Sequence, residues 1–114
     1  MRFVIKPRLV QLLPAVATLA LAGGIAAAAP GEAKVSIRNF MFAPPAVTIR
    51  AGDSITWSND DATTHTVTFK DGSAGAKSLA RGQTFTRTFD QAGTFEYLCS
   101  IHPQMTGRVV VAAQ

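Results

Sequence analysis

Alternation of hydrophobic and polar residues runs through most of the chain beyond residue 30, and it limits this region to β-structure. The two-residue period is clearest at 35–38, 47–50, 65–69 and 95–99. This period places alternate side chains on opposite faces of a strand, so that one face of each strand can be buried. No segment in this region keeps the 3.6-residue period of an amphipathic helix. Short strands separated by turn residues indicate an all-β fold, namely an antiparallel-rich sandwich or small barrel.

Two segments interrupt the alternation. We expect Pro44 and Pro45 to form a bend between strands, because proline has no amide hydrogen to donate to a sheet. Residues 70–83 contain three glycines and little to bury, so we expect them to form a loop. Met41 lies between two phenylalanines, and we interpret it as a residue that packs at a strand end.

The first 28 residues have the composition of a secretory signal peptide. Three basic residues precede an apolar run at 9–22, and small residues follow at 26–28. We therefore expect a signal peptide at 1–28 that is cleaved after Ala28, and a single domain at 29–114 in the periplasm or another exported location. The alternative is an uncleaved membrane anchor, which a glutamine and a proline inside the apolar run disfavour.

The positive charge of the chain belongs largely to this leader. The formal net charge is +4, from 11 Lys and Arg and 7 Asp and Glu, and loss of the three basic residues in the leader reduces it to +1. The domain has no basic stripe with interleaved aromatic residues, so we do not expect it to bind nucleic acid. We expect a monomer without membrane contact after cleavage.

A domain of this size is only marginally stable without a crosslink or a metal, because it buries only about 60% of the surface that its unfolded chain exposes. Exported domains commonly use disulfides for this purpose. Cys99 is the only cysteine of the chain and has no internal partner. It can bind a metal, bridge to another chain or remain a free thiol.

Cys99 opens a C-x-x-H-x-x-M pattern at the end of an alternating strand. His102 and Met105 follow at intervals of three residues, and His65, the other histidine, begins an earlier strand. Two imidazoles, one thiolate and one weak thioether are the donor set of a blue-copper site, which predicts one copper ion held by these four residues. Each residue alone has a commoner explanation, such as a buried small hydrophobic residue, a polar strand end or core filling. The spacing of the four together favours the copper site.

Other metals and most enzyme classes fit this donor set less well. A structural zinc site needs four Cys or His ligands, and the domain has three. A thiolate-bridged dinuclear copper centre needs a second cysteine, and a c-type haem needs a C-x-x-C-H motif. A Ser/His/Asp triad needs a histidine that is not already assigned to the metal. We therefore expect the protein not to be an enzyme.

The segments GDSITWSNDDATTHTVTF (52–69) and GTFEYLCSIHPQMTGRVVV (93–111) resemble a cupredoxin, a blue type 1 copper protein, of the plastocyanin/amicyanin group. The short spacing between His102 and Met105 is most similar to amicyanin. The resemblance implies a Greek-key β-sandwich, one copper ion cycling between Cu(I) and Cu(II), and electron transfer between larger redox proteins. It also implies that the four donors named above are the copper ligands.

Two positions depart from the pattern of this group, in which proline commonly precedes the first ligand histidine and asparagine often follows it. Thr64 and Thr66 stand there in this chain. The family asparagine hydrogen-bonds to the cysteine loop, and we expect the hydroxyls of Thr66 and Ser100 to replace that link. Together with Asn59, they are the residues that we predict to support the ligands from outside the donor set.

The expected activity is one-electron transfer. We predict that His102 is the electron exit, surrounded by Ala43, Pro44, Pro103 and Gln104 in a flat patch that suits brief contacts with a donor and an acceptor protein. Two other functions remain open from the residues alone. One is a carrier or storage module that delivers copper instead of electrons, and the other is a metal-free adhesion or interaction domain.

Overall fold

The structure is a computed structural model, and it describes residues 2–6 and 29–114. The signal peptide expected at 1–28 lies almost entirely outside the described residues, as does Ala28, after which we expect cleavage. Within the described residues, no helix is long and apolar enough to cross a membrane. Regular structure in this part of the chain begins at Glu32.

Nine strands make up the regular structure of the described residues. Every second residue is buried in β4 and in β9, as the alternation in the sequence predicts. The strands are β1 (Glu32–Arg38), β2 (Met41–Ala43), β3 (Ala46–Arg50), β4 (Ser54–Asn59), β5 (His65–Phe69), β6 (Ala76–Leu79), β7 (Thr84–Thr88), β8 (Gly93–Leu98) and β9 (Thr106–Ala112).

The strands form two sheets. One sheet has four strands in the order β2-β1-β4-β7, and the other has five in the order β3-β9-β8-β5-β6. Five of the strand pairings are antiparallel, and β1–β4 and β3–β9 are parallel. The expected antiparallel-rich, all-β architecture is therefore confirmed for the described residues.

Trp57 lies in the core, where side chains of both sheets meet. Its ring is fully buried, and its centroid lies 5.6 Å from that of Phe85, 6.0 Å from that of Phe69 and 5.5 Å from that of Tyr97. Aromatic pairs of this kind contribute about 0.5–1.5 kcal/mol each beyond the burial of their area. Trp57 and Phe85 belong to the four-stranded sheet, whereas Phe69 and Tyr97 belong to the other. This cluster therefore fixes the two sheets against each other.

Arg87, on β7, connects one sheet to the loop between β5 and β6 of the other. Its guanidinium carbon lies 4.4 Å from the ring centroid of Phe69 and 4.5 Å from that of Phe89. Its Nη1 donates hydrogen bonds to Ser73 Oγ at 2.8 Å and to the Ala74 carbonyl at 3.2 Å. A single half-buried side chain thus covers aromatic rings and holds the loop.

The loop expected at 70–83 contains a strand, so this expectation is wrong in part. Residues Ala76–Leu79 form β6, which pairs with β5 in antiparallel orientation. Pairing with β5 gives this short, glycine-flanked segment its backbone partners and buries both its end residues, Ala76 and Leu79.

The interpretation of Met41 as a packing residue is also wrong. Met41 lies on β2 with 58% of its surface exposed, whereas its neighbour Phe42 is buried. Alternation along β2 turns Phe42 inward and Met41 outward. The bend predicted at Pro44 and Pro45 is confirmed, because these residues separate β2 from β3.

Candidate metal centre

A β-bulge in β6 lies opposite the part of β5 in which consecutive side chains are buried. Between the pairs His65–Leu79 and Val67–Ala76, β6 has one residue more than β5, and a bulge of this kind re-aims the side chains around it. His65, Thr66 and Val67 are accordingly all buried, although a regular strand would turn alternate residues outward. The bulge also directs the Thr66 amide toward Cys99, whose Sγ accepts its hydrogen bond at 3.4 Å.

The segment after β8 folds into a loop that its own backbone closes. The Cys99 amide donates to the Met105 carbonyl at 3.0 Å, and the Met105 amide donates to the His102 carbonyl at 2.8 Å. These bonds gather three of the predicted donors into one turn at the end of the sandwich. Cys99 and Met105 are buried, at 0% and 3% exposed, and His102 is half-buried.

Three of the four predicted donors lie within reach of one metal ion. Cys99 Sγ is 3.8 Å from His65 Nδ1 and 3.8 Å from His102 Nδ1. One ligand atom from each of these residues lies within 4.8 Å of the others. Metal–sulfur and metal–imidazole bonds of about 2.3 and 2.0 Å, as in zinc sites, allow at most about 4.3 Å between two such ligand atoms. The two sulfur–nitrogen separations therefore fit a shared ion, and Met105 is buried in the same loop.

The environment of Cys99 favours the thiolate that a metal requires. Burial by itself raises the pKa of the thiol, but the Thr66 amide, the His65 ring, and the amide and ring of His102 together outweigh it. The net effect lowers the pKa of Cys99 from 9.0 to about 6. At neutral pH the sulfur is therefore mostly ionised, although its side chain is fully buried.

Asp61 determines which nitrogen of His65 faces the donor cluster. Its Oδ2 accepts a hydrogen bond from His65 Nε2 at 2.8 Å, so that Nδ1 is the nitrogen turned toward Cys99. Burial raises the pKa of Asp61, but hydrogen bonds from the Phe40 amide, the His65 ring and the Asn39 amide lower it below its ordinary value. Metal-ligating histidines commonly place their second nitrogen on a carboxylate in this way.

Thr66 and Ser100 form the link that the sequence predicts between β5 and the cysteine loop. The Ser100 amide donates to Thr66 Oγ1 at 2.8 Å, and the two hydroxyl oxygens are 3.1 Å apart. Asn59 bonds to Asp61, which in turn bonds to the donor His65. Its Nδ2 donates to two backbone carbonyls, and its Oδ1 accepts the Asp61 amide at 3.0 Å. Asn59 therefore supports Asp61, and its side-chain hydrogen bonds do not include a donor.

Phe40 covers the two imidazoles from outside. Its ring centroid lies 5.2 Å from that of His65 and 5.0 Å from that of His102, and both pairs are edge-to-face at 88° and 83°. Asn39 and Phe40 have φ angles of 52° and 56°, in the left-handed region that bulky residues rarely adopt. The Asp61 carboxylate accepts both of their amides, at 2.8 and 3.0 Å.

Sequence reasoning missed both Asp61 and Phe40 as parts of the site. The available signals were an aspartate four residues before His65 and a phenylalanine at the start of the Phe-Met-Phe run. Neither signal is sufficient, because Phe40 packs on two rings that lie far along the chain, and Asp61 binds the distant Asn39 and Phe40 amides as well as His65.

The surface beside His102 is apolar. Three large hydrophobic residues are exposed on or next to the elements around it, namely Phe40 at 46%, Met41 at 58% and Ile101 at 53%. A groove of about 320 Å³ runs along the same end of the domain. Of the residues that we predict to surround His102, Pro44, Pro103 and Gln104 are exposed and Ala43 is half-buried. The groove is lined by Phe40, Met41, Phe42, Ala43, Pro45, Gln104, Met105 and Thr106.

Comparison with known proteins assigns this chain to a family. Residues 11–111 match the family described as cupredoxin-like domain. Amicyanin-alpha of Methylorubrum extorquens is 39% identical over 104 residues, which cover 83% of this chain and 87% of that protein. Amicyanin of Paracoccus versutus is 36% identical over 92 residues, or 75% of this chain and 70% of that protein. A chloroplastic plastocyanin of Tetradesmus obliquus is 36% identical over 84 residues, covering 62% and 58%.

Solved structures agree with this assignment. The crystal structure of amicyanin from Paracoccus versutus matches with a TM-score of 0.66 at 32% identity, covering 71% of this chain and 81% of that one. A variant amicyanin in its Cu(I) form matches with a TM-score of 0.67 at 30% identity, covering 71% and 82%. These likenesses confirm the cupredoxin fold that the resemblance implied. The chain belongs to the cupredoxin-like family and, within it, resembles the amicyanins.

Proposed function

We propose that this protein is an exported small blue copper protein that carries single electrons between larger redox proteins. The observation that carries the proposal is the convergence of ligand atoms from His65, Cys99 and His102 to within 4.8 Å, with Met105 buried in the same loop. Amicyanin and plastocyanin relatives at 36–39% identity support the same function. A copper ion bound by these donors supplies a reversible couple between Cu(I) and Cu(II).

Each proposed ligand contributes a distinct property. Cys99 provides a thiolate at neutral pH, because its pKa is about 6. His65 presents Nδ1 with its other nitrogen held by Asp61, so its ring cannot turn freely. Met105 provides a buried thioether, the weak axial ligand of such sites. The two sheets and the closed loop hold these groups in place while the charge of the ion changes.

His102 is the route by which we propose that electrons leave the site. Among the proposed ligands it is the half-buried one, whereas the other three are buried. Pro103 and Gln104 beside it are exposed, and the groove extends the apolar surface toward β2. A small, mainly apolar surface of this kind suits weak and short-lived encounters with a donor and an acceptor protein.

The other parts of the proposal concern the setting of the protein. We propose that the leader directs it to the periplasm or an equivalent compartment, and that it works there as a monomer free of the membrane. We expect no catalytic turnover by the protein itself. Delivery of copper, the alternative that the residues left open, is not favoured by the amicyanin and plastocyanin relatives.

Addition of cupric salt to the purified metal-free protein tests the proposal. We expect an intense blue absorption from the thiolate–copper bond, which a mild reductant bleaches and an oxidant restores. Cys99→Ser should abolish the colour, because it removes the sulfur donor. A copper-delivery protein would bind Cu(I) without reversible colour. A protein that stays colourless, or a Cys99→Ser variant that stays blue, would contradict the proposal.

The two methionines of the domain provide a matched test of the axial ligand. Met105→Leu should raise the reduction potential and change the absorption spectrum, because the axial ligand tunes blue-copper sites and its loss disfavours Cu(II). Met41→Leu makes the same chemical change at an exposed position and should leave both unchanged. Equal effects of the two substitutions would show that Met105 is not a ligand. The assignment of the other three donors would be unaffected.

A further inference from the structure

We infer that Phe40 and Asp61 form one positioning unit, which holds the two histidine rings in donor geometry before a metal binds. The inference rests on the proposed copper site. Phe40 packs edge-on against both imidazoles. Asp61 bonds to His65 and also to the backbone that carries Phe40. The unit thus connects a histidine on β5 with a histidine in the loop after β8.

His65 is restrained from two directions. Its Nε2 is held by the Asp61 carboxylate at 2.8 Å, which fixes the rotation of the ring about its axis. The edge-to-face contact with Phe40, at 88°, limits its tilt. The side chain is fully buried, so the surrounding core blocks the remaining movements.

His102 depends more strongly on Phe40. The backbone bond from Met105 fixes the carbonyl of His102 but does not fix its side chain. The ring is half-buried at the surface, where Phe40 lies against it at 5.0 Å and 83°. Without that contact, the imidazole can swing toward solvent and carry Nδ1 away from Cys99. Phe40 therefore keeps the outer donor turned inward.

Asp61 explains how Phe40 is kept in this place. A bulky residue in the left-handed region persists only where its surroundings determine the backbone. Phe40 is 46% exposed, so burial of its ring does not account for that conformation. The Asp61 carboxylate instead binds the consecutive amides of Asn39 and Phe40. Asp61 itself is fixed by Asn59, whose Oδ1 accepts its amide.

Phe40→Ala, with Met41→Ala as the matched control, tests the role of the ring. Both positions are exposed and apolar, but only Phe40 has a ring that packs on the imidazoles. In the metal-free wild type, ¹⁵N NMR should show one well-defined state for each imidazole, with proton contacts from Phe40 to both rings. Phe40→Ala should broaden or average the His102 signals. It should also speed the release of copper to a chelator by about tenfold or more, the usual cost of losing a residue that supports ligands.

Met41→Ala should leave the imidazole signals and the release rate unchanged. Phe40→Leu keeps apolar bulk without an aromatic edge. Its His102 signals and its rate of copper release should be intermediate between those of the wild type and Phe40→Ala. If Phe40→Ala matches Met41→Ala in both measurements, the positioning role is overturned. That result would leave a blue wild-type protein intact, so the proposed function would stand. A colourless wild type would instead remove the proposed function and this inference together.

Asp61→Asn tests whether the two residues act as a unit. The variant should shift the protonated nitrogen of His65 from Nε2 alone to a mixture, which ¹⁵N NMR of the metal-free protein detects. It should also speed copper release, and addition of Phe40→Ala to it should have a smaller effect than in the wild type, because coupled residues are not additive. Fully additive effects, or an unchanged His65 tautomer, would overturn the coupling.

Discussion

Cys99 unites complete burial with an unusually acidic thiol. Burial normally raises the pKa of a thiol, and here the contacts with Thr66, His65 and His102 reverse that effect and bring the pKa to about 6. The same bonds aim the sulfur at the two imidazole nitrogens, 3.8 Å away. The donor cluster is thus prepared, in charge and in position, to receive a cation.

The stability of the metal-free protein should depend on pH through this thiol. Because the folded-state pKa of Cys99 lies below its ordinary value of 9.0, ionisation favours the folded state. The contribution should be fully present above pH 9 and should be lost as the pH falls through about 6. Urea unfolding across this range measures it as the difference in unfolding free energy between wild type and Cys99→Ser. Parallel pH profiles for the two proteins would contradict the assignment.

Single residues also mark where sequence reasoning reaches its limit. Cys99, His102 and Met105 can be proposed as donors because their spacing after an alternating strand is itself a pattern. The hydroxyl link between Thr66 and Ser100 followed from their positions beside two expected ligands. Phe40 and Asp61 were missed because their role depends on a left-handed turn and on contacts across 21 or 22 residues, which no local pattern records.

At the scale of elements, alternation predicted most of the strands because their burial follows the two-residue period. It failed at β6, whose four residues gain their burial only by pairing with β5. It also could not reveal the bulge in β6, opposite which consecutive residues at 65–67 of β5 are buried. Both features depend on the pairing of β5 with β6. Both lie next to His65, the proposed donor on β5.

The contact of Arg87 with the loop between β5 and β6 allows a test at this scale. Arg87→Ala removes a cation from three aromatic rings and removes two hydrogen bonds to the loop. We expect a loss of about 1–3 kcal/mol in unfolding free energy, because cation–π contacts contribute about 0.5–2 kcal/mol and the arginine stem packs on the rings. Urea unfolding measures the loss.

Arg81→Ala provides the control for this substitution, since Arg81 is an exposed arginine in the turn after β6. It should change the unfolding free energy by less than about 0.5 kcal/mol. The absorption of the copper-loaded protein should be the same in both variants, because neither residue contacts the donor cluster. Equal losses in the two variants would show that Arg87 contributes only its charge.

At the scale of the whole molecule, the donor cluster joins segments that are far apart in the chain but lie on neighbouring strands of the five-stranded sheet. His65 belongs to β5, and the other three donors lie between β8 and β9. Because a shared ion joins these segments only in the folded state, copper should stabilise the domain by mass action. Because the domain is small, this contribution is a large fraction of the stability of the domain.

Calorimetry with and without copper measures this contribution. At a free copper concentration about 100-fold above Kd, the stabilisation should be about 2.7 kcal/mol, and the unfolding midpoint should rise accordingly. Cys99→Ser should lose most of the increase, while Met41→Leu should keep it. A wild-type midpoint that does not respond to copper would contradict a single tight site.

The position of β9 has a consequence for the order in which this protein matures. β9 lies between β3 and β8 in its sheet, yet it comes after the other eight strands in the chain. Translation therefore delivers β9 after the remaining strands, together with the Met105 backbone that closes the loop at Cys99. A chain that ends before β9 has all four proposed donors but lacks the strand that pairs with β8 beside their loop. We therefore expect a chain that lacks β9 to bind copper less tightly than the chain that has it.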